Sequence, residues 1–176
     1  MGKSQYLEHP GIQIASGRAL NTSHVNKFGF NPTVGTSWEP IQVGSESFVY
    51  PTSAGIATIV SDNTNDAGAG TGARTLEIQG LDGSYNMFTE TVTMNGTTSV
   101  VTTGSFLRVF RAKVITGGST GGAVGTITVT VGGNILATLD PEYDNQTLQA
   151  TYTVPAGHIA YLVRMQVTST KDNKAA

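Results

Sequence analysis

Gly125-Thr126-Ile127-Thr128-Val129-Thr130-Val131-Gly132-Gly133-Asn134 decides the fold class. Side chains alternate with period two along a strand, so Ile127, Val129 and Val131 share the inward face and threonines take the other. β-branched residues favour that extended backbone. Gly132-Gly133 then supplies a two-residue turn, because glycine enters left-handed φ without steric cost. The residues 134–139 return as the second arm of a hairpin.

Working outward, the same period recurs. Ser47-Phe48-Val49-Tyr50 reads as a short strand ended by Pro51, and Ile56-Ala57-Thr58-Ile59-Val60 as a second. Arg74-Thr75-Leu76-Glu77-Ile78-Gln79-Gly80 alternates with Leu76 and Ile78 on one face. Asp82-Gly83 and Asn95-Gly96 are hairpin-type turns around strands at 87–94 and 99–103. The apolar run 106–115 puts Phe106, Arg108, Phe110, Ala112 and Val114 on one face, with Leu107, Val109, Arg111 and Lys113 on the other. Residues 147–154 place Leu148, Ala150, Tyr152 and Val154 inward against Thr and Gln. After Pro155-Ala156-Gly157, a last strand carries Ile159, Tyr161, Val163, Met165 and Val167 on one face and Arg164 and Gln166 on the other.

Eight to ten short strands with turn signals between them predict an all-β chain, an antiparallel β-sandwich of jelly-roll type. Strand should exceed about 30 % and helix stay under about 10 %. The composition agrees: 22 glycines among 176 residues is nearly twice the usual share, threonine is more frequent still, and charged residues are 12 % against a usual ~25 %. Residues 46–176 form the sandwich. Residues 1–45 differ, holding two of the three histidines, the only tryptophan and three of the six prolines without lasting periodicity. They predict an extended N-terminal arm whose Phe28, Phe30 and Trp38 bind a partner surface or pack on the domain itself. Ordering such an arm costs roughly 1–2 kcal/mol per residue, so those aromatics should be buried against something.

The chain has no cysteine, which excludes disulfides, thiolate metal sites and cysteine nucleophiles. A net charge of −2 argues against a nucleic-acid partner, and no apolar run is long enough for a membrane partner. The start of the chain has no apolar segment of a secretory signal.

Residues that could carry chemistry read more simply as structure. Gly68-Ala69-Gly70-Thr71-Gly72 and Gly117-Gly118-Ser119-Thr120-Gly121-Gly122 lack the helix N-terminus that a phosphate loop needs, and read as flexible loops. Asp62-Asn63-Thr64-Asn65-Asp66 has alternating oxygen ligands, but Ala67 and Ala73 stand where a calcium loop wants Gly and Glu. Asp140, Glu142 and Asp144 form a second acidic loop. Glu77 and Glu90 are the main carboxylates on strands, and each falls on a polar face. His9, His24 and His158 have neither metal-ligand spacing nor a nucleophile elbow around them. Arg108, Arg111 and Lys113 read as a salt-bridged or interface strand. No catalytic residue, metal site or cofactor is therefore expected.

Ser105-Phe106-Leu107-Arg108-Val109-Phe110-Arg111-Ala112, residues 121–134, Tyr152-Thr153-Val154-Pro155-Ala156-Gly157 and Trp38-Glu39-Pro40-Ile41 resemble virion structural proteins of tailed marine bacteriophages, of cyanophage and podovirus type. The resemblance spans most of residues 35–170 and rests on strand-and-turn patterns. It implies a non-enzymatic particle component, located in the virion, whose partners are other virion proteins of capsid or tail and further copies of itself. A capsid decoration or head-attached protein leads, with a tail- or fibre-associated protein beside it. From another class, a carbohydrate- or receptor-binding module would gather Tyr85, Tyr143 and Tyr152 on one concave surface. A glycan-active enzyme comes third and needs two converging carboxylates.

The chain ends with Lys171-Asp172-Asn173-Lys174-Ala175-Ala176, which reads as a turn leading to no further strand. Either a longer chain continues here or an edge is left to be covered. Residues 159–169 are expected to pair on both sides, one neighbour coming from another chain or from a continuation.

Overall fold

A computed structural model describes residues 10–44, 49–143 and 145–169. Chain order is a one-turn helix α1 (Pro10–Ala15), then β1 (Gly55–Ser61), β2 (Ala73–Leu81), β3 (Met87–Thr93), β4 (Val100–Phe106), β5 (Arg108–Gly117), β6 (Ile127–Val131) and β7 (Asn134–Leu139). The protein is nearly all β, 36 % strand and 3 % helix. One antiparallel sheet has the order β4-β1-β6-β7 and the other β3-β2-β5. Their inward residues meet in one core, with Ile59, Ile127 and Val129 from the first sheet against Leu76, Ile78 and Val109 from the second. The β6–β7 hairpin forms as its sequence dictates: Val131 pairs with Asn134, and Gly132 and Gly133 carry φ of 58° and 82°.

The chain changes sheets between β4 and β5. The expected single strand over 106–115 is broken at Leu107, whose N–H donates to the Leu81 carbonyl at 2.8 Å. Phe106 stays in the core of one sheet, and Val109 enters that of the other. Phe110 is also buried, because the register slips between Gln79 and Gly80. Asn95-Gly96 likewise joins strands of different sheets rather than a hairpin. Gly96 takes φ 62°, and its N–H donates to the Asp66 carbonyl at 2.7 Å.

β4 carries a wide bulge. Ile56 pairs with Ser105 and Thr58 with Val101, so Ala57 faces three residues. Thr102 Oγ1 replaces the missing ladder acceptor, taking the Ala57 N–H at 2.9 Å. The displaced amides of Thr103 and Gly104 donate to the two carboxylate oxygens of Glu90 on β3, at 2.7 and 2.9 Å. Glu90 thus ties the sheets together instead of merely decorating a polar face. Glu90→Ala should cost about 1–2 kcal/mol through two lost charge-assisted bonds, discounted for partial exposure. A chemical-denaturation midpoint equal to wild type would refute this role.

Three expected strands are absent from the described residues. Val49 and Tyr50 are irregular, and Ser47 and Phe48 of that stretch lie outside the described residues. Residues 147–154 form no strand; within them only Gln149 makes an isolated bridge, to Gln42, and the residue before them, Gln146, makes one to Lys113. Their faces are also reversed. Thr147 and Gln149 are the buried pair, because Thr147 Oγ1 accepts the Ala112 N–H at 3.1 Å and Gln149 Nε2 donates to the Val109 carbonyl at 3.3 Å. Polar side chains stand in for ladder bonds there. Residues 159–169 form no strand, and residues 159–168 make no backbone hydrogen bond to any described residue.

Candidate interaction surface

Of the stretch expected as an arm, the described residues 10–44 are irregular apart from α1. They reach the body along the outer edge of β5. That edge is first covered by residues 145–149, through Val114 N–H to the Asn145 carbonyl and Thr147 N–H to the Ala112 carbonyl, both 2.8 Å. The arm then adds outside this segment: Phe30 N–H donates to the Leu148 carbonyl at 3.2 Å, and Gly29 lies so close that a Cβ there would sit 3.0 Å from the Ala150 backbone N and Cβ. Lys27 pins the crossing, donating to the Phe110 carbonyl with its Nζ 5.6 Å from the Phe110 ring centroid.

Arm and body enclose a groove of about 440 Å³, lined among others by Phe28, Phe110 and Tyr152 and by Gln79, Arg111 and Gln146. Arg111 donates to Gln146 inside it. Burial, followed by repulsion from Arg111, lowers the Lys27 ammonium from its usual value to about 8. Folding therefore opposes this charge. The penalty is fully present below pH 8 and is relieved as pH rises from 8 towards the unfolded value near 10.5. Acylation of Lys27 followed by mass spectrometry should titrate with a midpoint near 8, whereas a midpoint near 10.5 would show that burial leaves Lys27 untouched.

The predicted arm aromatics are not brought together. Phe30 packs edge-on against Tyr143, centroids 5.1 Å apart, and is 42 % exposed. Phe28 is 66 % exposed at the groove rim, and Trp38 is fully exposed at 105 %. Within this chain the expected burial fails for Trp38, because the turn 31–39 is closed by its own polar contacts: Glu39 accepts the Gly35 N–H at 3.2 Å, and Asn31 donates to the Pro40 carbonyl at 3.0 Å.

The remaining candidates are engaged in structure. Glu77 pairs with Lys113 at 2.9 Å and accepts from Gln79 at 2.8 Å; these bonds, the lysine's above all, hold its carboxyl below the usual range. Arg108 donates to the Pro51 carbonyl at 2.7 Å and stacks between Tyr50 and Tyr85, 5.1 and 5.7 Å from their centroids. Tyr152 packs on Phe110 at 5.2 Å, so the three tyrosines have three different ring or cation partners. His24 lines the groove, and His158 contacts the Ala156 carbonyl at 2.9 Å. His9 and Asp144 lie outside the described residues.

Asp66 was not singled out within its acidic loop, yet it organises one end of the molecule. It is fully buried. Oδ1 accepts the N–H groups of Ala73 at 2.7 Å and Val124 at 3.0 Å; Oδ2 accepts Ser61 Oγ at 2.6 Å and the Gly125 N–H at 2.9 Å. Asp62 caps Thr126 N–H at 2.8 Å, and Asn63 closes an Asx turn on Asn65 N–H at 3.0 Å. Both Asp66 oxygens, Asp62 Oδ1 and Asn63 Oδ1 are thus engaged by backbone N–H groups and the Ser61 hydroxyl. The two glycine-rich loops pack on each other instead of hanging free: Gly118 N–H donates to the Gly72 carbonyl at 2.8 Å, and a Cβ on Gly118 would sit 2.6 Å from the Thr71 backbone.

Among the described residues, the longest run of exposed large apolar side chains is residues 159–167. Ile159, Tyr161, Leu162, Val163, Met165 and Val167 are each 62 % exposed or more. The fold and surface define a two-sheet antiparallel β domain with apolar terminal segments. Comparison with known proteins returns no matching family, curated sequence or solved structure.

Proposed function

We propose that this chain is a non-enzymatic structural protein of a tailed-bacteriophage particle, a capsid decoration or head-attached protein, with its two sheets arranged as a β-sandwich of jelly-roll type. The observation that carries the reading is the apolar segment 159–167 standing off a finished core, joined by the exposed Trp38 and Phe28 of the arm. Contiguous apolar surface beyond a few hundred Å² marks an interaction site. Assembly into a particle supplies repeated partner surfaces for such segments. The carboxylates Glu77, Glu90 and Asp66 have structural partners, which favours scaffold over catalyst. A tail or fibre-base position would use the same surfaces.

Quantitative mass spectrometry of purified particles tests this. The chain should be present at a stoichiometry comparable with the major shell or tail proteins. Its presence in infected cells but absence from particles would overturn the reading.

The groove between arm and sheet favours a second reading, a carbohydrate- or receptor-binding module, because it sets Phe28, Phe110 and Tyr152 beside Gln79, Gln146 and Lys27. A glycan array would separate the two. Binding abolished by Tyr152→Ala would support the module; a blank array would leave the groove to arm docking.

A further inference from the structure

The segment after Pro155 has the alternating sequence of a strand but pairs with no sheet. Ala156 N–H donates to the Tyr85 carbonyl at 2.9 Å, Gly157 turns with φ 74°, and the chain then leaves the body. From Ile159 to Val167 a large apolar residue stands at every second position, and Arg164 is the one charge, bonded to Gln166 at 2.7 Å. The five large apolar residues of one face, Ile159, Tyr161, Val163, Met165 and Val167, expose roughly 800 Å², comparable with the ~800 Å² that each partner contributes to a standard stable interface. Nine extended residues reach about 30 Å, enough to span the six-residue edge of β7.

The domain also offers an acceptor. β5 is covered by residues 145–149. β3 and β4 meet at a corner closed by Glu90 on the bulge and by Phe88, whose ring lies 4.8 Å from that of Phe106. β7 has no such side-chain closure among the described residues, and its far edge makes no backbone hydrogen bond to any of them. Its sequence, Asn134-Ile135-Leu136-Ala137-Thr138-Leu139, carries no charge and no proline, the usual devices that protect an edge.

We propose that residues 159–167 of one copy add as a strand to the β7 edge of a second copy. This rests on the reading of the chain as an assembly component and names the partner of its apolar segment. One chain carries both a free strand and a free edge, so copies satisfy each other. The pairing covers Ile159, Tyr161, Val163, Met165 and Val167 and leaves Arg164 and Gln166 towards solvent. A reciprocal exchange closes a dimer and a cyclic one closes a ring.

The test uses the full chain. Light scattering with size-exclusion chromatography should give an oligomer at micromolar concentration. Val163→Glu with Met165→Glu should weaken association at least tenfold while leaving the circular-dichroism spectrum unchanged, since neither residue touches the core. The absence of native cysteine permits a direct second measurement. Val163→Cys in one preparation, mixed with Thr138→Cys in another, should join through a short bismaleimide into a heterodimer. A monomeric full chain, an oligomer indifferent to the two glutamates, cross-linking confined to one copy in the Val163→Cys/Thr138→Cys double variant, or a monomer that binds only another virion protein would each overturn the proposal. Strand exchange in a chain missing from particles would sink the virion reading alone. A particle-bound chain that is monomeric in solution would sink this proposal alone.

Discussion

Asp66→Ala is expected to lower stability by about 3–5 kcal/mol, because it strands three backbone N–H groups at roughly 1–3 kcal/mol each and a buried hydroxyl, partly offset by relaxation. For a domain of this size the melting temperature then falls by roughly 10 °C. The loss should reach loops far apart in sequence, since one carboxylate holds Ala73, Val124 and Gly125 together. Asp66→Asn keeps the shape and should be nearly as harmful. Each oxygen faces at least one backbone N–H, so the new amide nitrogen meets a donor whichever way it turns. Thermal unfolding of both variants decides the matter. A benign Asp66→Asn would show that the site needs volume and not acceptors.

Gly80→Ala is the second large effect. A Cβ there would sit 1.8 Å from the Arg108 carbonyl oxygen and 2.8 Å from Phe106 Cδ1. The first contact is backbone, and it lies where the chain crosses between sheets, so neither side can withdraw cheaply. A loss above about 3 kcal/mol is expected, in the range of strained core substitutions. Gly83→Ala, whose Cβ meets only Ala54 Cβ at 3.3 Å, is the matched control and should change little. Urea denaturation of the pair gives the comparison, and equal midpoints would remove the argument for close approach at Gly80.

What could be read from the sequence was what neighbouring residues decide. β2, β3 and the β6–β7 hairpin lie where alternation and turn glycines put them. Gly80 carried a signal too, since glycine inside a strand often marks close backbone approach. Errors arose where a partner distant in sequence chooses the face. Thr147 and Gln149 look solvent-directed by polarity, but the open edge of β5 draws them inward. Phe106 and Phe110 look like one face of one strand, yet the break at Leu107 sends them to different sheets. Residues 159–167 have strand composition, but composition cannot supply the second strand that pairing requires. The candidate surface was legible only in part. Of the three arm aromatics expected as anchors, Phe30 meets Tyr143 while Phe28 and Trp38 stay exposed, and Lys27, which no sequence pattern marks, gained its lowered basicity from burial and from Arg111.

The crossing at Leu107 has a consequence for how the molecule opens. Phe106 closes β4 in one sheet and Arg108 begins β5 in the other, with no slack between them. Neither sheet can separate without dragging the other, and Glu90 clamps the same corner. Amide protons of β1 and β2 should therefore exchange through one shared global event, at a common free energy. The arm and residues 145–152, laid outside β5, belong to a shallower level and should release their protons earlier, as a cooperative unit of their own.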